Sequence, residues 1–343
     1  MSVETVVAEK ATRRPTRRGR LADKPVAAAL ALVALVVIPL ILPGAATFLI
    51  PVGIFFIVVL GLDVFLGHAG QVSLGQTLFM GLGAYGVGVL ALRWHVPTVL
   101  GVLIMAIVSA GVAYLLGRPF LRLRGYYLAL ATLGLAVIAA SLATGLDSVT
   151  GGPSGLVGIP PLSVGSFSFI SDISNYYVIL GVGAVGAWFV SGVTRTRTGR
   201  ALAAIAGDHH AAAMLGVDPA RYKTRAFVLA AVFASVGGSL YACYSQFISP
   251  DFIAVPVAFN LVVMLALGGS RSIVGPLLGA LLIQALPEAG QSVALYEPLI
   301  AGVVLILVIT YLPEGLWGGL REIVARLARR RSATGPIAQE GLR

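Results

Sequence analysis

The chain is poor in charge, cysteine and histidine for its size. Of 343 residues, 11% are Asp, Glu, Lys or Arg, whereas a soluble domain carries about 25%. That shortfall excludes an ordinary water-soluble fold. The single cysteine, Cys243, lies in an apolar stretch, so a disulfide within the chain is excluded. Four scattered histidines do not supply the clustered His, Asp, Glu or Cys that a membrane-embedded enzyme needs at a membrane face. No Gly-x-x-x-x-Gly-Lys-Ser/Thr run occurs, so the chain carries no nucleotide-binding loop of that kind. The first apolar run, 25–42, lacks a small-residue cleavage site and reads as a retained span.

What remains is apolar. Hydrophobic residues make up 58%, there are 42 glycines, and mean hydropathy is +0.94. This is the composition of a polytopic membrane protein whose small residues let helices approach closely. Spans of about 20 apolar residues are expected near 25–42, 47–66, 71–92, 97–117, 125–146, 173–193, 225–247, 256–268, 272–288 and 294–312. The eighth and ninth are short and broken by Gly268-Gly-Ser-Arg-Ser272, so they pair as a descent and return. The expected fold is all-α, because unpaired backbone groups are not tolerated in lipid, with about ten transmembrane or half-membrane helices.

The net charge of +10 is distributed by topology. With the N-terminus inside, the inside segments hold 23 of the 24 Lys and Arg residues, and only Arg93 falls outside. Asp147, Asp172, Asp251 and Glu297 lie in the outside loops. Basic residues beside spans mark the cytoplasmic face, which gives an N-in, C-in orientation and no nucleic-acid partner. Residues 1–24 read as a disordered basic cytoplasmic tail attracted to anionic lipid, 25–312 as the membrane domain, and 313–343 as a second basic cytoplasmic tail.

One inside segment, 194–224, is polar, rich in alanine and able to form helix. Thr198 can cap a helix over 199–206 that stops at Gly207. Asp208 can cap a second over 209–215 that stops at Gly216. Asp218-Pro219 starts a third that runs into the next span. Leu202, Ile205, Met214 and Leu215 give the pair small apolar faces. Spacing alone leaves two readings open, an amphipathic loop resting on lipid headgroups or a docking element for a soluble partner. His209 and His210 read as solvated, without the further ligands that a metal site requires.

Broken helices near the midplane expose backbone to a transported solute. Gly67 to Tyr85, with Gln71, Ser73, Gln76 and Thr77 among glycines, has that character. So does Gly268 to Gly275, with Asn260 upstream. Tyr85, Thr132, Gly268 and Gly269 complete the candidate path. The alternative is that these polar groups satisfy one another in helix packing. Asp63, near the inner end of its span, is the one candidate for ion coupling. The external loop 147–172 is either a connector or a turn facing a soluble protein.

Five segments in order resemble the permeases of ABC importers, and most closely the branched-chain amino-acid permease family of the LivM type. They are Gly67-His-Ala-Gly-Gln-Val-Ser-Leu-Gly-Gln76 with Gly81-Leu-Gly-Ala-Tyr85, Arg124-Gly-Tyr-Tyr-Leu-Ala-Leu-Ala-Thr-Leu133, Thr150-Gly-Gly-Pro-Ser-Gly-Leu156, the 198–228 stretch, and Gly268-Gly-Ser-Arg-Ser-Ile-Val-Gly-Pro276. The resemblance covers roughly residues 45–315. It implies an ABC-importer permease fold in the bacterial inner membrane and a cytoplasmic ATPase-coupling loop at Gly199, Arg200, Ala201, Leu202, Ile205, Asp208, Ala212, Met214, Leu215 and Gly216. It also implies a second permease subunit, two cytoplasmic ATPase subunits that use ATP and Mg, and an extracytoplasmic solute-binding protein. The chain itself would bind no metal or cofactor. Branched-chain or related amino acids are the implied substrates, with urea, amides or another small polar solute as alternatives. An ion-coupled secondary transporter is the reading from a different class. The chain departs from the family at Ala206 and Gly207, where a basic and an acidic residue are frequent, and at His209, where an acidic or polar residue is common.

Overall fold

The computed structural model describes residues 44–123, 125–164 and 167–288, together with positions 39, 302, 303, 306, 310, 315–319 and 322. The expected spans at 25–42 and 294–312 lie largely outside the described residues. The chain divides into two units, Met1–Ala46 and Thr47–Arg343, and the packing below concerns the second.

The described residues contain six helices long and apolar enough to cross a membrane. They are α1 (Gly44–Asp63), which continues through a π-helical turn at Val64–His68, then α2 (Gln76–Trp94), α3 (Thr98–Phe120), α4 (Tyr126–Gly145), α6 (Asp172–Arg195) and α9 (Pro219–Ser245). Four-residue α5 (Asp147–Thr150) follows α4. Between α6 and α9 lie α7 (Arg197–Gly207) and α8 (His209–Met214). After α9 come α10 (Val255–Gly268) and α11 (Val274–Glu288). With 14 residues, α10 reaches only about 21 Å at 1.5 Å per residue, short of the about 30 Å of bilayer hydrocarbon. Helix α11 is described as far as Glu288 and packs against α10.

The centre is built on α1 and α9. In each, 72% of the apolar window is buried inside the protein, against 17% for α6 and 22% for α3. Helix α2 completes the centre by lying directly on α9. A Cβ on Gly83 would fall on the Ser235 carbonyl, and one on Gly238 would fall on the Met80 carbonyl. Two backbones therefore touch where side chains would normally separate them, which is how small residues drive association in lipid. The Ser235 hydroxyl then donates to the Met105 carbonyl at 3.2 Å, fixing α3 to the same helix. At one end Phe227 of α9 wedges between Phe65 (5.3 Å between ring centroids) and Phe79 (5.5 Å). That wedge seats the π-turn against α2.

The loops sort into two ends. One gathers the 64–75 turn, 118–122, 195–219 and the 269–273 tip, with most of the described arginines. The other gathers 146–172 and 246–254, where β1 (Leu156–Val157) pairs antiparallel with β4 (Phe247–Ile248), and β2 (Ser163–Val164) with β3 (Phe167–Ser168). These four two-residue strands are local loop pairings in a fold that is otherwise helical, in keeping with the all-α expectation. They arise because non-helical backbone at the membrane face must pair with something. The 71–92 span needs correction, because residues 70–75 run without regular structure and α2 begins at Gln76.

The α2–α9 contact makes a specific prediction. Gly83→Leu overpacks this junction at a cost of about 1–3 kcal/mol, so the detergent-solubilised variant melts several degrees below the wild type. Gly134→Leu, placed in open space, melts with the wild type. Equal melting of the two variants would contradict the backbone contact.

Candidate functional site

Helix α6 ends at Arg195, and the chain breaks at Thr196, which is extended at φ −80° and ψ −175°. Thr196, not Thr198, precedes the first short helix. Its hydroxyl donates back to the Val193 carbonyl at 2.7 Å instead of capping α7. The expected cap at Thr198 is thereby corrected, because α7 starts earlier and places Thr198 in its first turn. The second cap holds as read from the sequence. The Asp208 carboxylate accepts from the amides of His210 (2.8 Å) and Ala211 (3.1 Å). Gly216 takes φ +80° to end the segment. The Asp218 carboxylate accepts from the amides of Ala220 and Arg221 and opens α9 behind Pro219.

This hairpin of short helices has two faces. Gly199, Ala201, Leu202, Ile205 and Ala212 are buried and form its foot. Leu202 and Ile205 bury nearly all of their surface. The last turn of α7 rests on the loop after α1, so closely that a Cβ on Gly70 would lie 3.2 Å from the Ala206 methyl. Arg200 and Asp208 face outward. Met214 and Leu215 are 90% and 83% exposed. Leaving a large apolar side chain in water forgoes about 1.5–3 kcal/mol of burial. Two in succession form a small uncovered apolar surface at the arginine-rich end of the described residues.

The candidate path residues separate into two groups. Gln71, Ser73 and Thr132 build the loop ahead of α2. The Gln71 amide donates to the Ala69 carbonyl (3.1 Å), Ser73 Oγ accepts from the Gly75 amide (3.3 Å), and Thr132 Oγ1 accepts from the Leu74 amide (3.1 Å). Gln76, Thr77 and Tyr85 on α2 are buried, and their side-chain polar atoms find no hydrogen-bond partner among the described residues. Ser109 of α3 and Ser239 of α9 share that property and were not singled out by the sequence. A lone serine among alanines and glycines carries no pattern, so only depth and the missing partner identify it. An unsatisfied buried polar group costs about 1–3 kcal/mol. Five of them around α2 call for water or a polar solute in the interior. Asn260 on α10 is half-buried. Gly268 and Gly269 lie at the turn between α10 and α11, with Gly269 at φ +100°.

Asp63, the candidate for ion coupling, is 1% exposed. Its Oδ1 accepts from the Arg271 amide at 2.8 Å, so it is bound to the tip between α10 and α11.

The family described as "Branched-chain amino acid transport system / permease component" matches residues 44–310. The chain is 30% identical over 286 residues to the high-affinity branched-chain amino acid transport system permease protein LivM of Salmonella typhimurium, covering 77% of this chain and 67% of that protein. It is 33% identical over 172 residues to the permease protein BraD of Pseudomonas aeruginosa, covering 47% of this chain and 55% of that protein. It is 35% identical over 128 residues to the permease protein LivH of Escherichia coli, covering 36% and 40%. No solved structure matches.

The α8 cap titrates. The Ala211 and His210 amides, aided by the charge of the neighbouring histidines, hold the Asp208 carboxyl below its ordinary value of 3.8. A depressed carboxyl contributes fully above its unfolded value and loses that contribution as pH falls through the folded one. Hydrogen exchange at the His210 and Ala211 amides, corrected for the intrinsic rate, therefore accelerates only below pH 3.8. Asp208→Ala shows the fast exchange at neutral pH. Protection that stays unchanged in Asp208→Ala would sink the cap.

Proposed function

The chain belongs to the branched-chain amino acid transport system permease family, and on that basis we propose that it is the LivM-like membrane-spanning subunit of an ATP-driven importer. The observation that carries this reading is the two-faced helix pair at 197–214. Its foot is packed on the permease and its outer edge ends in Met214 and Leu215. A protein that only held a passage open has no use for two bare apolar side chains on a capped, rigid projection. One driven from outside by a soluble motor does.

In this reading two cytoplasmic ATPase subunits dock on α7 and α8 and bind ATP with Mg. A second permease subunit, of the kind that LivH represents among the relatives, completes the membrane-spanning pair. An extracytoplasmic binding protein delivers the solute at the end built from 146–172 and 246–254. Closure of the ATPases pushes the foot of α7, and the passage changes from outward to inward access. The orientation follows the basic residues, which fall on the α7–α8 end.

The proposed cargo is a branched-chain or related amino acid, as in the names of the relatives. The orphaned groups of Gln76, Thr77, Tyr85, Ser109 and Ser239 are all neutral hydrogen-bonding groups. They suit a small polar solute with no net charge, a zwitterionic amino acid included. Ion coupling finds less support, because Asp63 is occupied by the Arg271 amide.

Reconstitution in proteoliposomes with the cognate subunits tests the proposal. The complete assembly takes up leucine only with ATP inside the compartment facing α7–α8. Met214→Asp with Leu215→Asp lowers that uptake at least tenfold and releases the ATPase subunits during purification, while the permease keeps its melting temperature. Uptake driven by an ion gradient without ATP would refute the importer reading.

A further inference from the structure

At the basic end, the path from the helix pair to the α10–α11 hairpin runs through one buried carboxylate. Asp63 is the last α-helical residue of α1 before the chain widens into the π-turn at Val64–His68. A π-turn is a rare irregularity in helices and is frequent at functional sites. The next loop, at Gly70, takes φ +66° and lies against Ala206 in the last turn of α7. On the other side of the carboxylate is the tip between α10 and α11. Asp63 Oδ1 accepts from the Arg271 backbone amide at 2.8 Å, a bond that joins residues 208 apart in sequence. The Arg271 side chain returns the connection, its Nε–H donating to the Gly67 carbonyl of the π-turn at 2.7 Å.

The geometry is costly in ways that a simple turn does not require. Arg271 sits at φ +60°, where residues with a Cβ are disfavoured. A Cβ on Gly67 would fall on Asp63 Oδ1, so the carboxylate occupies the space that a side chain would take. The opposite face of the tip is closed by Gly315, whose missing Cβ would lie 2.5 Å from the Gly269 Cα. The tip is thus gripped between the π-turn and the 315–319 segment, with little slack on either side. Among the charged groups that the structure places around Asp63, Arg271 and His68 come closest. His68 Nδ1 is 3.6 Å from Asp63 Oδ2.

We propose that Asp63 and Arg271 form a two-bond latch that carries displacement of α7, through the Gly70 loop and the π-turn, to the tip of the α10–α11 hairpin. In this assignment they are positioning residues of the transport cycle, and the hairpin is the element they move. Asp63 serves as a hydrogen-bond acceptor for backbone, not as a proton carrier. That is why one buried carboxylate suffices without a relay. The assignment rests on the reading of α7 and α8 as the docking site for the ATPases, and it deepens that reading by naming the internal element that receives the motion.

The test uses the complete assembly in proteoliposomes and, separately, the purified full chain. The quantity read in the assembly is solute imported per ATP hydrolysed. Asp63→Ala leaves basal hydrolysis within about twofold and lowers the import ratio at least tenfold. Asp63→Asn, which keeps the accepting oxygen, restores the ratio. Arg271→Ala, at an exposed position, loses the bond to Gly67 and falls between the two. In the purified chain, hydrogen exchange at amides 269–273 rises at least tenfold in Asp63→Ala and stays at the wild-type rate in Asp63→Asn. That readout does not depend on what the protein transports. A wild-type assembly that imports nothing with ATP sinks the importer reading and leaves the latch to be judged by exchange alone. If Asp63→Ala does not fold, Arg271→Ala carries both measurements. A wild-type import ratio in Asp63→Ala (or in Arg271→Ala, where that variant stands in), unchanged exchange at the tip, or an Asp63→Asn variant as defective as Asp63→Ala overturns the proposal.

Discussion

The direct backbone contact between α2 and α9 is the constraint on which the remaining architecture depends. In lipid, apolar side chains gain little by leaving one apolar surface for another, so helices associate through close packing. Gly83 against Ser235 and Gly238 against Met80 bring two chains together with nothing between them. From that seam Ser235 ties down α3, and Phe227 holds the π-turn after α1 against Phe79. The π-turn in turn offers Gly70 to α7 on one side and Gly67 to Arg271 on the other. The end that carries α7 and the 269–273 tip is therefore a dependent structure, positioned by the α2–α9 seam.

The helices that form this seam also carry polar groups without partners. Gln76 and Thr77 of α2 and Ser239 of α9 have buried side-chain polar atoms that find no hydrogen-bond partner among the described residues. Each such group costs about 1–3 kcal/mol as long as it stays unsatisfied. Water or a polar solute in the interior is what would relieve that cost.

Much of this was legible in the sequence, and what was not has a physical reason. Apolar length gave the described spans, because hydrocarbon thickness sets helix length directly. Asp208 with Gly216, and Asp218 with Pro219, gave α8 and the start of α9, because capping is a short-range rule. Thr198 misled because two threonines stand two residues apart and only backbone geometry decides between them. Thr196 is extended and ends α6 instead. The pairing of Leu156 with Ile248 and the bond between Asp63 and Arg271 join distant positions, which no local periodicity records. Gln71 was conspicuous as a large amide among glycines, yet its amide donates within its own loop. Ser109 and Ser239, inconspicuous in the sequence, are orphaned together with Gln76, Thr77 and Tyr85, which the sequence did single out.

Met214 and Leu215 also bear on the chain by itself. Among the described residues they are the two most exposed large apolar side chains, and they are adjacent. Left in water they forgo about 1.5–3 kcal/mol of burial each, so any contact that covers both recovers it in one step. Two neighbouring residues thus give the uncovered chain a built-in tendency to adhere.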